Sequence, residues 1–124
     1  MKVEISNGEL VDKITILSIK LLLIKDRLKL SNIQNEHDSL FCHLSDIGMT
    51  EDSFLYKKLM DVNKELWGIE DSIREKERKK EFDGEFIGLA RRVYVTNDKR
   101  CEIKRQINLE TGSNLVEEKS YEEY

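Results

Sequence analysis

Proline is absent from the 124 residues, cysteine occurs twice, tryptophan once and glycine six times. So few chain-breaking residues leave little material for the many tight turns of a β-sandwich or barrel. Cys42 and Cys101 lie far apart and lack metal-type spacing, so neither a zinc site nor a disulfide framework is expected. A membrane-length apolar run is also missing. The greasiest stretch, Ile14 to Ile24, is interrupted by Lys20 and falls short of the roughly 20 residues a bilayer requires. The N-terminus, Met1-Lys2-Val3-Glu4, carries an acid early and no small-residue cleavage site. A cytoplasmic location is therefore expected, with no membrane partner.

The sequence is equally short of catalytic signatures. It has no Gly-x-Ser-x-Gly elbow and no glycine-rich phosphate loop, the local geometries that expose a nucleophile or cradle a phosphate. A di-iron bundle needs Glu-x-x-His pairs, but Gln34 precedes His37 and Leu40 precedes His43 at that spacing. His37, Cys42, His43 and Asp46 are metal-compatible types that fall on different helical faces, so no metal site is expected there. Helical pyrophosphohydrolases hold Mg²⁺ with paired acidic motifs, of which only Glu9-x-x-Asp12 is present. One such pair retains at most a weak hydrated ion. No cofactor is expected.

What is present in quantity is charge, 37% of residues, beside 39% hydrophobic residues. That mixture suits amphipathic helices, and the length suits one domain with a real core. Ser6-Asn7-Gly8-Glu9 has capping-box spacing. Leu10, Ile14, Leu17, Leu21, Ile24 and Leu28 then recur in steps of four and three, predicting a first helix that continues to Leu30. Ser31 to Gln34 offers a second capping box. It opens a helix through Ile33, His37, Leu40, Leu44 and Ile47 that ends at Gly48. Thr50-Glu51-Asp52 starts a third helix to about Lys80, with Leu55, Leu59, Val62, Leu66, Ile69 and Ile73 as its seam. Asp83 caps a fourth, whose apolar positions Phe86, Leu89, Val93, Ile103 and Ile107 are interrupted by Thr96, Asn97 and Arg100. Gly84 and Gly88 at its start suit either close helix packing or an anion. The expected fold is a compact all-α bundle of four helices, two hairpins, over residues 1–112. An acidic tail, docked or disordered, follows over 113–124.

Charge is unevenly placed along that frame. Residues 110–124 hold five acids and one base, while the remainder balances. Residues 91–105 hold six bases against two acids, so the tail is expected to fold back over the fourth helix or the basic end of the third. Exposed ion pairs stabilise little, and Leu115 and Val116 are expected to anchor it. With a neutral body and no aromatic platform, nucleic acid is not the expected partner.

Polar residues concentrate on the last two helices. Asn63, Trp67, Glu70, Asp71 and Arg74 share one flank at helical spacing; Arg91, Tyr94, Asn97, Asp98, Lys104 and Arg105 share another. Taken blandly, this is a solvated face laced with i,i+4 pairs. The sharper reading gathers an indole, guanidinium and amide groups into a shallow pocket for a sugar, phosphate or carboxylate.

Ile5 to Leu17 resembles the opening signature of an uncharacterised family of short, all-helical bacterial and phage proteins. So do Asn63, Leu66-Trp67, Ile69-Glu70-Asp71, Ile73-Arg74, Phe82-Asp83, Phe86-Ile87, Leu89-Ala90-Arg91, Val93-Tyr94, Asn97-Asp98, Lys104 and Leu115 to Tyr121. Asn7 departs from the pattern, which has proline there. Members occur alone, or attached to or beside sugar-transferring enzymes of surface-polysaccharide pathways. The resemblance thus implies an accessory role in glycan or sugar-nucleotide metabolism, and it transfers no catalytic residue. Three functions follow as expectations. The first is a non-catalytic module binding a sugar-nucleotide, phosphate, carboxylate or protein through the eleven polar residues above. The second is a Mg²⁺-dependent hydrolase or transferase using Asp12, Glu70, Asp71 and Asp98. The third is a homo-oligomer pairing through the extra apolar face of helix 1, where Ile16, Ile19, Leu22 and Leu23 widen the seam.

Overall fold

The computed structural model describes residues 1–124. Four helices make up the chain: α1 (Asn7–Leu23), α2 (Arg27–Phe41), α3 (Phe54–Arg78) and α4 (Gly84–Glu110), with one short 3-10 turn at Ser45–Ile47. There are no strands, and no helix is long and apolar enough to cross a membrane. α1 is the hub. It packs on each of the other three, while α3 and α4 pack along one another and α2 rests mainly on α1.

The core forms where the apolar seams meet. Leu10, Val11 and Ile14 from α1 pack with Leu55, Tyr56 and Leu59 from α3 and with Ile103 and Ile107 from α4. Leu44 and Met49, from the link between α2 and α3, close the end. Each such side chain taken fully out of water contributes about 1.5–3 kcal/mol. α2 contributes no fully buried residue. Its predicted seam residues Ile33, His37 and Leu40 are only half-buried.

Capping explains where the predicted boundaries hold and where they move. Ser6 Oγ accepts from Glu9 N–H at 3.1 Å, as its spacing requires. Asp83 does the same for Phe86 N–H at 3.0 Å. The first helix, however, stops at Leu23 and not at Leu30, because Ile24 is extended and Asp26 Oδ1 caps α2 through Lys29 N–H at 3.0 Å. Ser31 to Gln34 therefore lies inside α2, and Leu28 is exposed. Thr50 does not open α3 either. It forms a turn in which Thr50 N–H donates to Ser53 Oγ at 2.9 Å, and the helix starts at Phe54. Gly48, at φ +76°, takes the left-handed conformation that ends the preceding turn.

Glycine also sets the closest approach between helices, at an unexpected place. A Cβ on Gly8 would stand 2.4 Å from the Lys104 carbonyl oxygen. Gly84 and Gly88 face open space, so close packing does not account for them.

Candidate functional site

Polar residues enter the bundle at seam positions. On α4, Val93, Thr96, Arg100, Ile103 and Ile107 follow one another in steps of three and four, so Thr96 and Arg100 continue the buried stripe. On α1, Gly8, Asp12, Thr15 and Ile19 form a second buried face at the same spacing. Asn63 of α3 is buried opposite them.

These residues meet around Asp12, whose side chain is 1% exposed. Asp12 Oδ1 accepts from Arg100 Nε at 2.9 Å and from Asn63 Nδ2 at 3.0 Å. Asp12 Oδ2 accepts from the Arg100 guanidinium, completing a two-pronged pair. Asn63 Nδ2 also donates to Thr15 Oγ1 at 2.9 Å, and Arg100 Nη1 donates to Asn97 Oδ1 at 3.2 Å. Lys104 Nζ donates to Glu9 Oε2 at 2.6 Å and lies 3.8 Å from Asp12 Oδ2. Each buried polar side-chain atom has a partner, the condition under which such a network is tolerated in a core. Glu9 thus leaves its predicted capping duty at Ser6 to bind α4.

The electrostatics follow from this geometry. The hydrogen bond to Asp12 raises the pKa of the Arg100 guanidinium. Burial alone would lower that of the Lys104 ammonium, but Glu9, Asp12 and Glu117 outweigh it and the net direction is upward. Burial likewise raises the Tyr56 phenol. Lys104 and Tyr56 are thus held protonated by the fold, so the unfolded chain releases these protons first. Their contribution is expected to persist up to about pH 10 and to disappear as pH rises through the higher folded values. Thermal melts across that alkaline range check it. A midpoint unchanged to about pH 11.5 would show that neither group is held in this way.

Beside the network, α3 and α4 enclose a hollow of about 550 Å³ lined by Asn63, Leu66, Trp67, Glu70, Asp71 and Arg74 from one side. Val93, Tyr94, Asn97 and Arg100 line the other, with Ile16 beneath. Seven of the eleven polar residues singled out from the sequence therefore share one concavity. Its fixed charges are largely spoken for, since Arg74 Nε donates to Glu70 Oε2 at 3.2 Å and Arg100 is held by Asp12.

The other four go elsewhere. Arg91 is exposed and lines neither this hollow nor the next. Asp98, Lys104 and Arg105 border a second hollow of about 540 Å³ between α4 and the tail. There Tyr124 Oη donates to Asp98 Oδ2 at 2.5 Å, and its ring meets Tyr94 edge-on at 5.3 Å. Arg105 Nη1 donates to Glu118 Oε1 at 3.0 Å, and Lys104 Nζ lies 3.5 Å from Glu117 Oε2. The tail thus lies over α4. Leu115 and Val116 do not anchor it, being 43% and 37% exposed. Polar contacts hold it instead. The basic end of α3 is occupied by its own hairpin, where Asp83, Glu85 and Glu81 surround Lys76 and raise its pKa.

Asn7 uses both its backbone and its side-chain amide. Its backbone N–H donates to Ser113 Oγ at 2.9 Å and its amide donates to Thr111 Oγ1 at 2.9 Å, stitching the start of α1 to the end of α4. No three His, Cys, Asp or Glu side chains are grouped as a cation site requires, and both oxygens of Asp12 are already engaged by Arg100.

Fold and site together define an all-α bundle with a buried ionic network at the junction of α1, α3 and α4 and an aromatic-walled hollow beside it. Over its whole length, residues 1–124, the chain belongs to a family of unknown function, DUF6165. No curated protein and no solved structure matches it.

Proposed function

We propose that the chain is a non-catalytic binding module whose α3–α4 hollow receives a sugar ring. One observation carries this reading: Trp67, Tyr94, Asn97 and Asp71 line a single cavity whose arginines are already paired. An aromatic wall packs on the apolar face of a pyranose, while amide and carboxylate groups exchange hydrogen bonds with its hydroxyls. A volume near 550 Å³ lies within the range of small-molecule pockets. The paired arginines favour a ring with little charge of its own at this spot. The accessory role beside sugar-transferring enzymes of bacterial and phage surface-polysaccharide pathways, implied by the sequence resemblance, agrees with such a ligand.

Trp67 is the only tryptophan in the chain, so its fluorescence reports on this hollow directly. Nucleotide sugars and free saccharides, without added metal, are expected to shift the emission and raise the melting temperature. Asn97→Ala is expected to weaken both responses by about tenfold, the ~1.4 kcal/mol of a lost hydrogen bond to a buried ligand. Metal-dependent turnover lost in Asp71→Asn would instead establish the Mg²⁺-dependent hydrolase or transferase. A second non-catalytic reading, self-association, rests on the exposure of Leu22, Leu23 and Leu28 around the α1–α2 corner. Its signature is a mass that rises with concentration while the indole ignores every sugar.

A further inference from the structure

The ionic network continues from the body of the protein into the tail, and its charges can be balanced. Four cations take part: Lys13, Arg100, Lys104 and Arg105. Within the helices they face two acids, Glu9 and Asp12. The surplus of two positive charges is met by consecutive tail residues, Glu117 on Lys104 and Glu118 on Arg105. That balance is of the ion pairs alone: Glu102, and Asp98 accepting from Tyr124, also line the hollow and keep their charge. The hydroxyl of Ser6, in a residue only 2% exposed, donates to Glu117.

The backbone of α1 is not part of this pocket. Its first amides are taken by Ser113 Oγ, Asn108 Oδ1 and Ser6 Oγ. At its start the tail is bound by a hydroxyl and two cationic side chains clasping adjacent carboxylates, and at its end by Tyr124 on Asp98. The tail spends no large apolar surface on docking, since Leu115, Val116 and Tyr121 all remain exposed. The Arg105–Glu118 pair is exposed and holds weakly, and a segment without buried apolar contacts opens readily.

We infer that the hollow between α4 and the tail is a phosphate-type anion site, which Glu117 and Glu118 occupy as an internal substitute. Two consecutive carboxylates on neighbouring cations supply two negative charges side by side, as a diphosphate does and a single small anion does not. Arginine and lysine side by side, with a hydroxyl donor, form a set suited to such a group. Tyr94 lines the sugar hollow and also touches Tyr124 of the tail, so the two cavities adjoin on α4. The inference thereby extends the reading above from a sugar ring to a sugar carrying a diphosphate. Its test uses the anion alone, so that its failure would leave the sugar reading standing.

Inorganic pyrophosphate is titrated calorimetrically into three proteins: the full chain, a chain ending at Asn114, and the full-length E117Q/E118Q variant. The last keeps every tail contact except the two charges, so it remains informative if truncation disturbs the fold. Affinity is expected to rise at least tenfold in both altered proteins. The gain should shrink with added salt and reverse when Arg105→Gln, a half-exposed position, is added to the truncated chain. A synthetic peptide of residues 115–124 should compete with pyrophosphate for the truncated protein. Equal affinity in all three proteins overturns the inference, as does a gain indifferent to Arg105→Gln. Inorganic phosphate binding as tightly as pyrophosphate would overturn the assignment to a diphosphate.

Discussion

Replacing Asp12 with alanine is expected to destabilise the protein by about 3–5 kcal/mol, the cost of removing one partner from a buried ion pair. The carboxylate accepts from Arg100 and Asn63 and lies beside Lys104. Its removal strands the Arg100 guanidinium, whose side chain is 25% exposed, while Lys104 keeps its bond to Glu9. Asn63 loses one of its two acceptors and keeps Thr15. A loss of this size is a large share of the roughly 5–15 kcal/mol that holds a typical domain together. Urea unfolding measures it. The double replacement Asp12→Ala/Arg100→Met should recover much of the loss, because apolar side chains of similar volume often replace buried ion pairs without penalty. A single variant within about 1 kcal/mol of the parent would show that water already screens the pair.

Gly8→Ala is the second large effect, and its sign opposes helix propensity. Inside a helix, alanine exceeds glycine by about 1 kcal/mol. At Gly8 the added methyl would sit 2.4 Å from the Lys104 carbonyl oxygen and 2.9 Å from Asn108 Oδ1. The first of these is backbone in the middle of a long helix and cannot swing aside. α1 must lift away from α4, loosening the 2.6 Å bond from Gly8 N–H to Asn108 and the Glu9–Lys104 pair. A net loss of about 2–3 kcal/mol is expected from such overpacking. Gly68 and Gly88 provide the internal control, since a Cβ there meets nothing within 4 Å. Alanine at either should stabilise by up to about 1 kcal/mol. Thermal denaturation of the three variants compares them directly, and a Gly8→Ala midpoint at or above the parent's would mean the helices do not approach this closely.

The fold was legible because apolar spacing reports helices well. Leu10, Ile14, Leu55, Leu59, Ile103 and Ile107, all expected on seams, line the core. The first corner is ambiguous in sequence because Asp26 and Ser31 both offer capping oxygens, and the structure uses Asp26. Choosing between them depends on where α2 can lie against α1, which local pattern does not encode. The α3–α4 hollow was legible in part, since Trp67, Asn63 and Asp71 share spacing with one another and face Tyr94 and Asn97. The ionic centre was not. Thr96, Asn97 and Arg100 read as a gap in the α4 stripe when hydrophobicity alone is counted, although Thr96 and Arg100 keep the stripe's steps of three and four. Polar residues in register with an apolar seam were the available signal. In sequence Lys104 reads as charge without partners, Glu9 as a local cap and Asp12 as a metal ligand.

The sequence by itself determined that this chain forms four amphipathic helices, with a balanced body and an acidic end. Those properties depend on neighbours a few residues apart, or on simple sums of charge. Tertiary structure alone decided which charges neutralise one another: Asp12 with Arg100 across 88 positions and Glu9 with Lys104 across 95. Such pairing depends on how far α1 and α4 can close at Gly8. Distance in space, not separation along the chain, sets the strength of a charge pair.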